Sequence, residues 1–193
     1  MVRPEDILDF WFNEVGEDGW YSQDEALDTR IRERFRSALE EAAAGAYGLW
    51  LTSAKGALAY IILTDQLPRN MFRGQARAFE TDKCALAASK VAVDRDWDMR
   101  ISGPERQFFY MPMMHSESLM DQDRCVRLMC SRMTGTNNLL HAKVHREIIR
   151  LFGRFPYRNV ALGRATTEHE EEFLKGGGYA KLLNSLSGNA AAA

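Results

Sequence analysis

A chain of 193 residues, 46% hydrophobic and with a net charge of −2, has the size and composition of one ordinary globular domain. That charge balance removes any electrostatic case for nucleic acid or an anionic membrane surface. The longest apolar stretch, Ala57 to Leu63, is far too short to span a bilayer.

Three cysteines, Cys84, Cys125 and Cys130, show no metal-ligand spacing, and Met1-Val2-Arg3-Pro4 lacks the apolar core of a signal peptide. Reduced thiols and a cytoplasmic location are therefore the expectation. Arginine outnumbers lysine 19 to 6, which reads first as codon usage in a GC-rich genome. Only arginines placed on stiff loops carry a separate argument.

In chain order, almost every segment has helical periodicity and none alternates as a strand does. Pro4 opens a helix with Ile7, Leu8, Trp11, Phe12 and Val15 on one stripe. Ser22-Gln23-Asp24-Glu25 reads as a capping box before a long amphipathic helix through Leu27, Ile31, Phe35 and Leu39. Thr52 or Ser53 starts a third helix, apolar nearly all round, which Pro68 is expected to stop at Leu67. Thr81 caps a fourth to Asp94, and Pro104 opens a short fifth. Ser118 starts a sixth, to Met133, and Asn137 or Asn138 a seventh, to Phe152. Thr167 caps an eighth, whose acidic run Glu168 to Glu172 reads as a solvated first turn. After Gly176-Gly177-Gly178 a short amphipathic piece reaches Leu186. Phe10-Trp11-Phe12 and Trp20-Tyr21 read as packing residues rather than a ligand cage.

One pattern occurs twice: Leu67-Pro68-Arg69-Asn70, running on to Arg73-Gly74, and Phe155-Pro156-Tyr157-Arg158-Asn159, preceded by Arg154 and followed by Gly163-Arg164. A proline-stiffened turn holds a guanidinium in a fixed direction, where it grips a carboxylate or phosphate with two parallel hydrogen bonds. That anion belongs either to a ligand or to the protein itself.

Helical wheels single out further polar residues. Asp65 falls at the centre of the arc of Ala54, Leu58 and Ile61, so it is expected to be buried and paired with Arg69 or Arg73. Gln122 lies inside the apolar arc of its helix, as do His141 and His145 on theirs. The two histidines have i, i+4 spacing, but no third ligand is set by spacing, so packed core histidines are expected rather than a metal site. His115 and Glu117 follow the Pro112 turn just before a helix amino terminus, a position suited to anion binding or acid–base work, or simply to capping.

Several of these segments together resemble the domain-of-unknown-function 924 family of uncharacterised bacterial proteins. They are Ile7-Leu8-Asp9-Phe10-Trp11-Phe12, Asp65 through Gly74, Ala78-Phe79 with Asp82, Tyr110-Met111-Pro112 with His115-Ser116-Glu117, His145, and Gly153 to Pro156 with Arg158-Asn159 and Leu162-Gly163-Arg164. The resemblance implies an all-helical fold similar to tetratricopeptide repeats, and no activity, substrate or catalytic residue.

The expectation is thus an all-α chain of about eight or nine helices stacked as antiparallel hairpins, one domain over residues 1–186 with an irregular tail over 187–193. The expected ligand-binding residues are Asp65, Arg69, Asn70, Arg73, Gln122, Arg154, Arg158 and Asn159, taking a small anionic ligand or an acidic peptide end. An enzyme, for instance a hydrolase, using His115 or His145 with Glu117 or Asp65 is the second reading. A purely structural polar network is the third. No cofactor, metal, nucleic-acid or membrane partner is expected, and the sequence leaves the oligomeric state open.

Overall fold

Pro68 does not stop the helix that precedes it. In the computed structural model, which describes residues 2–133 and 137–190 (backbone only at 189 and 190), the run continues past the proline. Helix α4 (Ala54–Ile61) passes into a π turn, Ile62–Gln66, and then into α5, Leu67–Met71, with Pro68 in its first turn. The Leu67 N–H reaches back five residues to the Ile62 carbonyl. The wider π turn makes room for a ring that would clash with the carbonyl four residues earlier. That carbonyl, on Thr64, instead accepts the Thr81 hydroxyl at 2.6 Å. Thr81 stands at the N-cap of α6 (Asp82–Asp94) but makes no side-chain capping bond there, because its hydroxyl serves the proline's orphaned acceptor.

Two compact units are present, Met1–Pro112 and Met113–Ala193. In the first, α1 (Pro4–Asp9) runs into another π turn, Phe10–Val15, and the one-turn α2 (Gly16–Gly19). Helix α3 (Glu25–Ala43) is capped by Asp24, which accepts from Ala26 N and Leu27 N, so the cap lies two residues beyond Ser22. Ser53 caps α4 through the Gly56 N–H. Helix α3 packs on α5, and α4 packs on α1 and α6. The core between them is Ile7, Phe10, Trp11, Ile31, Phe35, Leu58, Ile61 and Leu67, each at most 1% exposed. Phe10, Trp11 and Trp20 pack as expected, Phe10 meeting Phe35 edge-on at 5.0 Å and Trp20 meeting Phe108 at 4.9 Å, whereas Tyr21 is 61% exposed and donates its hydroxyl to Gln107 Oε1.

The one-turn α7 (Met111–Met114) spans the boundary of the two units. In the second unit α8 (Leu119–Arg132) packs along α9 (Asn138–Phe152). Gly153, in the left-handed region at φ 68°, closes α9. A 3-10 turn, Pro156–Arg158, leads on to α10 (Glu168–Lys175) and α11 (Gly178–Ala190). Val144, Ile148, Ile149 and Phe155 form the core, and Tyr179, Leu182, Leu183 and Leu186 of α11 pack on it. The helix therefore continues to Ala190 where an irregular tail was expected from 187; residues 191–193 lie outside the described residues. All regular structure among the described residues is helical.

Replacing Thr81 with Val keeps the side-chain shape and strands the Thr64 carbonyl. Thermal unfolding should show a loss of about 1–2 kcal/mol that Thr81→Ser largely restores.

Candidate functional site

The two proline–arginine–asparagine segments end on buried carboxylates of their own units. Asp65 sits in the π turn, 0% exposed, and accepts from Gln66 Nε2 and from Arg69 Nη2 at 3.2 Å. Arg69 Nη2 also reaches Asp82 Oδ1 at 2.8 Å, and its guanidinium lies 5.4 Å from the centre of the Phe79 ring. Burial alone would lower the Arg69 pKa, but the charges of Asp65 and Asp82 overcome it and raise the group above its ordinary value. The helical wheel had put Asp65 in this inward position.

The next two residues of the motif turn to a carboxylate that sequence reasoning missed. Asp28 of α3, 2% exposed, accepts from Asn70 Nδ2 at 2.8 Å, from Arg73 Nη2 at 2.9 Å and from Arg73 Nε. A signal for it existed, because Asp28 lies one helical turn before Ile31 and two before Phe35 on the same apolar arc.

The second unit repeats the contact. Glu170, 2% exposed, accepts from both Nε and Nη2 of Arg154, the latter at 2.7 Å, and from Asn159 Nδ2 at 3.3 Å. It also closes the capping box of α10 by accepting the Thr167 N–H at 2.7 Å. The acidic run is therefore not a wholly solvated turn. The hydrogen bond from Arg154 is the largest influence holding the Glu170 carboxyl far below its ordinary value, against the opposing effect of desolvation. The Thr-x-x-Glu spacing could have flagged this residue from sequence.

Glu117 does not act as the cap of α8, nor is it a free base. It binds Arg164 through two parallel hydrogen bonds, at 2.7 and 3.0 Å, and accepts the Phe155 N–H at 2.8 Å. Desolvation works against its ionisation, but Arg164 and the amide win and its pKa is lowered. Arg164 further donates to Asn159 Oδ1 and the Phe155 carbonyl, each at 3.0 Å.

The remaining polar residues of the second unit gather around His145. Its Nδ1 lies 2.9 Å from the His141 carbonyl oxygen, which only accepts, so Nδ1 carries the proton and Nε2 the lone pair in the neutral ring. Among the described residues no protein group hydrogen-bonds to Nε2, and His145 is only partly covered. The rings of Tyr179, Phe155 and His115 stand 5.2, 5.6 and 6.4 Å from it. Arg158, 6% exposed, lies with its guanidinium 4.5 Å from the centre of the same Phe155 ring. Gln122, 0% exposed, fixes the backbone on both sides of His115 by donating to the Met114 and Ser116 carbonyls at 2.7 Å each. Burial, with the charges of His115, Arg158 and His141 acting in the same direction, pushes the His145 pKa down to about 3.

His141 is turned away from any shared ligand, its Nδ1 2.7 Å from the Tyr179 hydroxyl, and burial lowers its pKa. Among the described residues no three His, Cys, Asp or Glu side chains are gathered so as to hold a metal ion. No signal before the glycine run pointed to Tyr179.

An all-helical chain with carboxylate-braced arginine segments is the class defined by this geometry. The model of a bacterial protein family of unknown function, DUF924, matches residues 7–178, so the chain belongs to that family. The solved structure of a protein of unknown function from Agrobacterium tumefaciens is similar at 40% identity, with a TM-score of 0.84, over 89% of this chain and 96% of that one. No curated protein matches. No helix among the described residues is long and apolar enough to cross a membrane.

Asp28→Ala leaves Arg73 and Asn70 without their acceptor; because Arg73 is partly solvated, calorimetry should show a loss of about 2–4 kcal/mol, at or below the usual range for a broken buried pair. Acid should act in two windows. The unfolded chain takes up a proton at His145 below about pH 6.5 and the folded chain does not, so stability falls by at most about 1.4 kcal/mol per pH unit from this group. Below about pH 4.5 the depressed Glu170 adds its own loss. His145→Phe should flatten only the upper window in pH-dependent denaturant titrations.

Proposed function

We propose that the protein binds a small anionic ligand beside His145 in its second unit, and that the arginine–carboxylate contacts are structural braces. One observation carries the first statement: a half-buried imidazole held neutral mainly by burial, with the charges of His115, Arg158 and His141 acting in the same direction. An anion placed there would favour the imidazolium form of His145, offsetting the burial and basic neighbours that now disfavour it. The braces are supported by their contacts, since Arg69, Arg73, Arg154 and Arg164 each bind a carboxylate of their own unit. Asp65 and Glu117 belong to these braces on this reading, and not to a reaction.

The acid–base reading fits less well. A histidine titrating near 3 is a weak base at neutral pH, whereas efficient proton transfer favours a pKa near the working pH.

Two measurements test the anion reading. Inorganic phosphate, acetate and larger carboxylates are screened by thermal shift, and the His145 pKa is followed by NMR. An anion at ten times its Kd should stabilise the fold by about 1.4 kcal/mol, or about 3–6 °C. It should also raise the His145 pKa, because it favours the imidazolium. Arg158→Lys should weaken binding while keeping the charge. If none of these anions moves either the melting temperature or the His145 resonance, the reading fails.

A further inference from the structure

In the first unit, α4 and α6 pack on small side chains and leave a recess of about 260 Å³ between them. Its α6 wall is the stripe Cys84, Ala87, Ala88 and Val91, spaced three and four residues apart and so on one helix face. Ala57 and Tyr60 line it from α4, and Trp97, three residues beyond α6, supplies a further wall. The alanines leave the space that larger side chains would fill, and Val91, 44% exposed, keeps apolar surface open to solvent. A dry apolar cavity of about 150 Å³ already takes benzene, so this recess has room for one ring and a short substituent. Among the described residues no Asp, Glu, Lys, Arg or His lines it, so a charged group would lose hydration there without a partner.

One donor in the lining is unmet. Trp97 is 7% exposed, and its indole N–H has no hydrogen-bond partner among the described residues. Trp20, by contrast, donates to the Trp11 carbonyl at 2.8 Å, as a buried indole ordinarily does. The Trp11 N–H also lacks a partner, but Trp11 is sealed in the core at 0% exposure, where no ligand reaches it. Tyr60 and Cys84 are hydrogen-bonded to each other, and burial raises the Tyr60 pKa, which keeps its hydroxyl neutral. The acceptor that the recess lacks is therefore one for Trp97.

We propose that the recess between α4 and α6 binds a small uncharged aromatic molecule bearing a carbonyl oxygen, its ring over Ala57, Ala87 and Ala88 and its oxygen accepting the Trp97 N–H. This site lies in the first unit and is independent of the anion reading for the second. The carbonyl offers an acceptor without the hydration cost of a carboxylate, and the flat ring matches a space left by alanines.

The test titrates the full chain with acetophenone, toluene and benzoate and follows the indole N–H resonances by NMR. Acetophenone should move the Trp97 indole proton downfield, toluene should perturb neighbouring resonances without that shift, and benzoate should bind more weakly than acetophenone. Trp97→Phe should weaken acetophenone about three- to tenfold more than it weakens toluene, the value of one lost hydrogen bond. Ala87→Leu, at an exposed helical position, should fill the recess and weaken both probes alike with the melting temperature little changed. No shift of the Trp97 resonance with acetophenone up to its solubility limit would overturn the proposal. Equal losses of acetophenone and toluene in Trp97→Phe would overturn the hydrogen bond. Benzoate binding as tightly as acetophenone would also overturn it, pointing instead to an anion drawn to the exposed Arg95, whose guanidinium lies 5.0 Å from the centre of the Trp97 ring. So would the same resonances shifting with protein concentration alone, which would make the recess an interface between copies of the chain.

Discussion

Buried carboxylates gripped jointly by an asparagine and an arginine are the contacts on which the loops of both units depend. An ionised carboxylate taken out of water loses several kcal/mol of hydration, and only full hydrogen bonding by charged or amide donors offsets that loss. Asp28 meets the demand with Asn70 and Arg73, and Glu170 meets it with Asn159, Arg154 and the Thr167 amide. Such a contact is close to all-or-none: either partner without the other is worse than neither. It therefore fixes the segment that supplies the donors, so the residues beside Pro68 and Pro156 are placed by electrostatics as much as by apolar packing.

The same logic explains why His145 is neutral. Burial is the main cause, the charges of His115, Arg158 and His141 act in the same direction, and the one acceptor its helix supplies, the His141 carbonyl, does not offset them. Gln122 and Glu117 matter here at one remove. Gln122 holds the peptide groups flanking His115, and Glu117 holds the amide of Phe155, whose ring stands 5.6 Å from that of His145. Gln122 Oε1 is left buried and without a protein partner, and because Nε2 faces two carbonyls the amide cannot be flipped to satisfy it.

How much of this was legible in the sequence follows from what each residue does locally. The helices were readable because their apolar periodicity and caps such as Ser53 and Thr167 act over one or two turns, although the expected box at Ser22 fell two residues short of the Asp24 cap. Asp65 was readable because its wheel position is a local property of α4 and the turn that follows. Pro68 misled because the rule that proline ends a helix assumes that no other group will serve the freed carbonyl, and Thr81, 17 residues on, serves it. Glu170 misled because an acidic first turn is normally solvated; its burial comes from Arg154, 16 residues earlier in the chain. The carboxylate of Asp28 meets a donor 45 residues away, and no local pattern announces such a contact. The tetratricopeptide-like stacking of hairpins remains an expectation of the family resemblance.

The repeated motif shows what a short sequence repeat can and cannot report. The backbones of the two copies differ. Pro68 lies in the first turn of a helix that continues through a π turn, whereas Pro156 opens a 3-10 turn after Gly153 has already ended α9. The neighbours differ too, since Asp28 comes from a helix earlier in the chain and Glu170 from one later. What recurs is the contact: an asparagine amide and an arginine fork on a single buried carboxylate. Pro, Arg and Asn can serve that contact from either backbone because proline only fixes one dihedral, and the long guanidinium stem makes up the rest of the distance. The arginine doing so is not the residue directly after the proline: it is Arg73, three residues after Asn70, in one copy and Arg154, two residues before Pro156, in the other. The duplication is thus one of interaction and not of local structure, so the two halves need share no helix-by-helix alignment for the motif to mean the same thing in both.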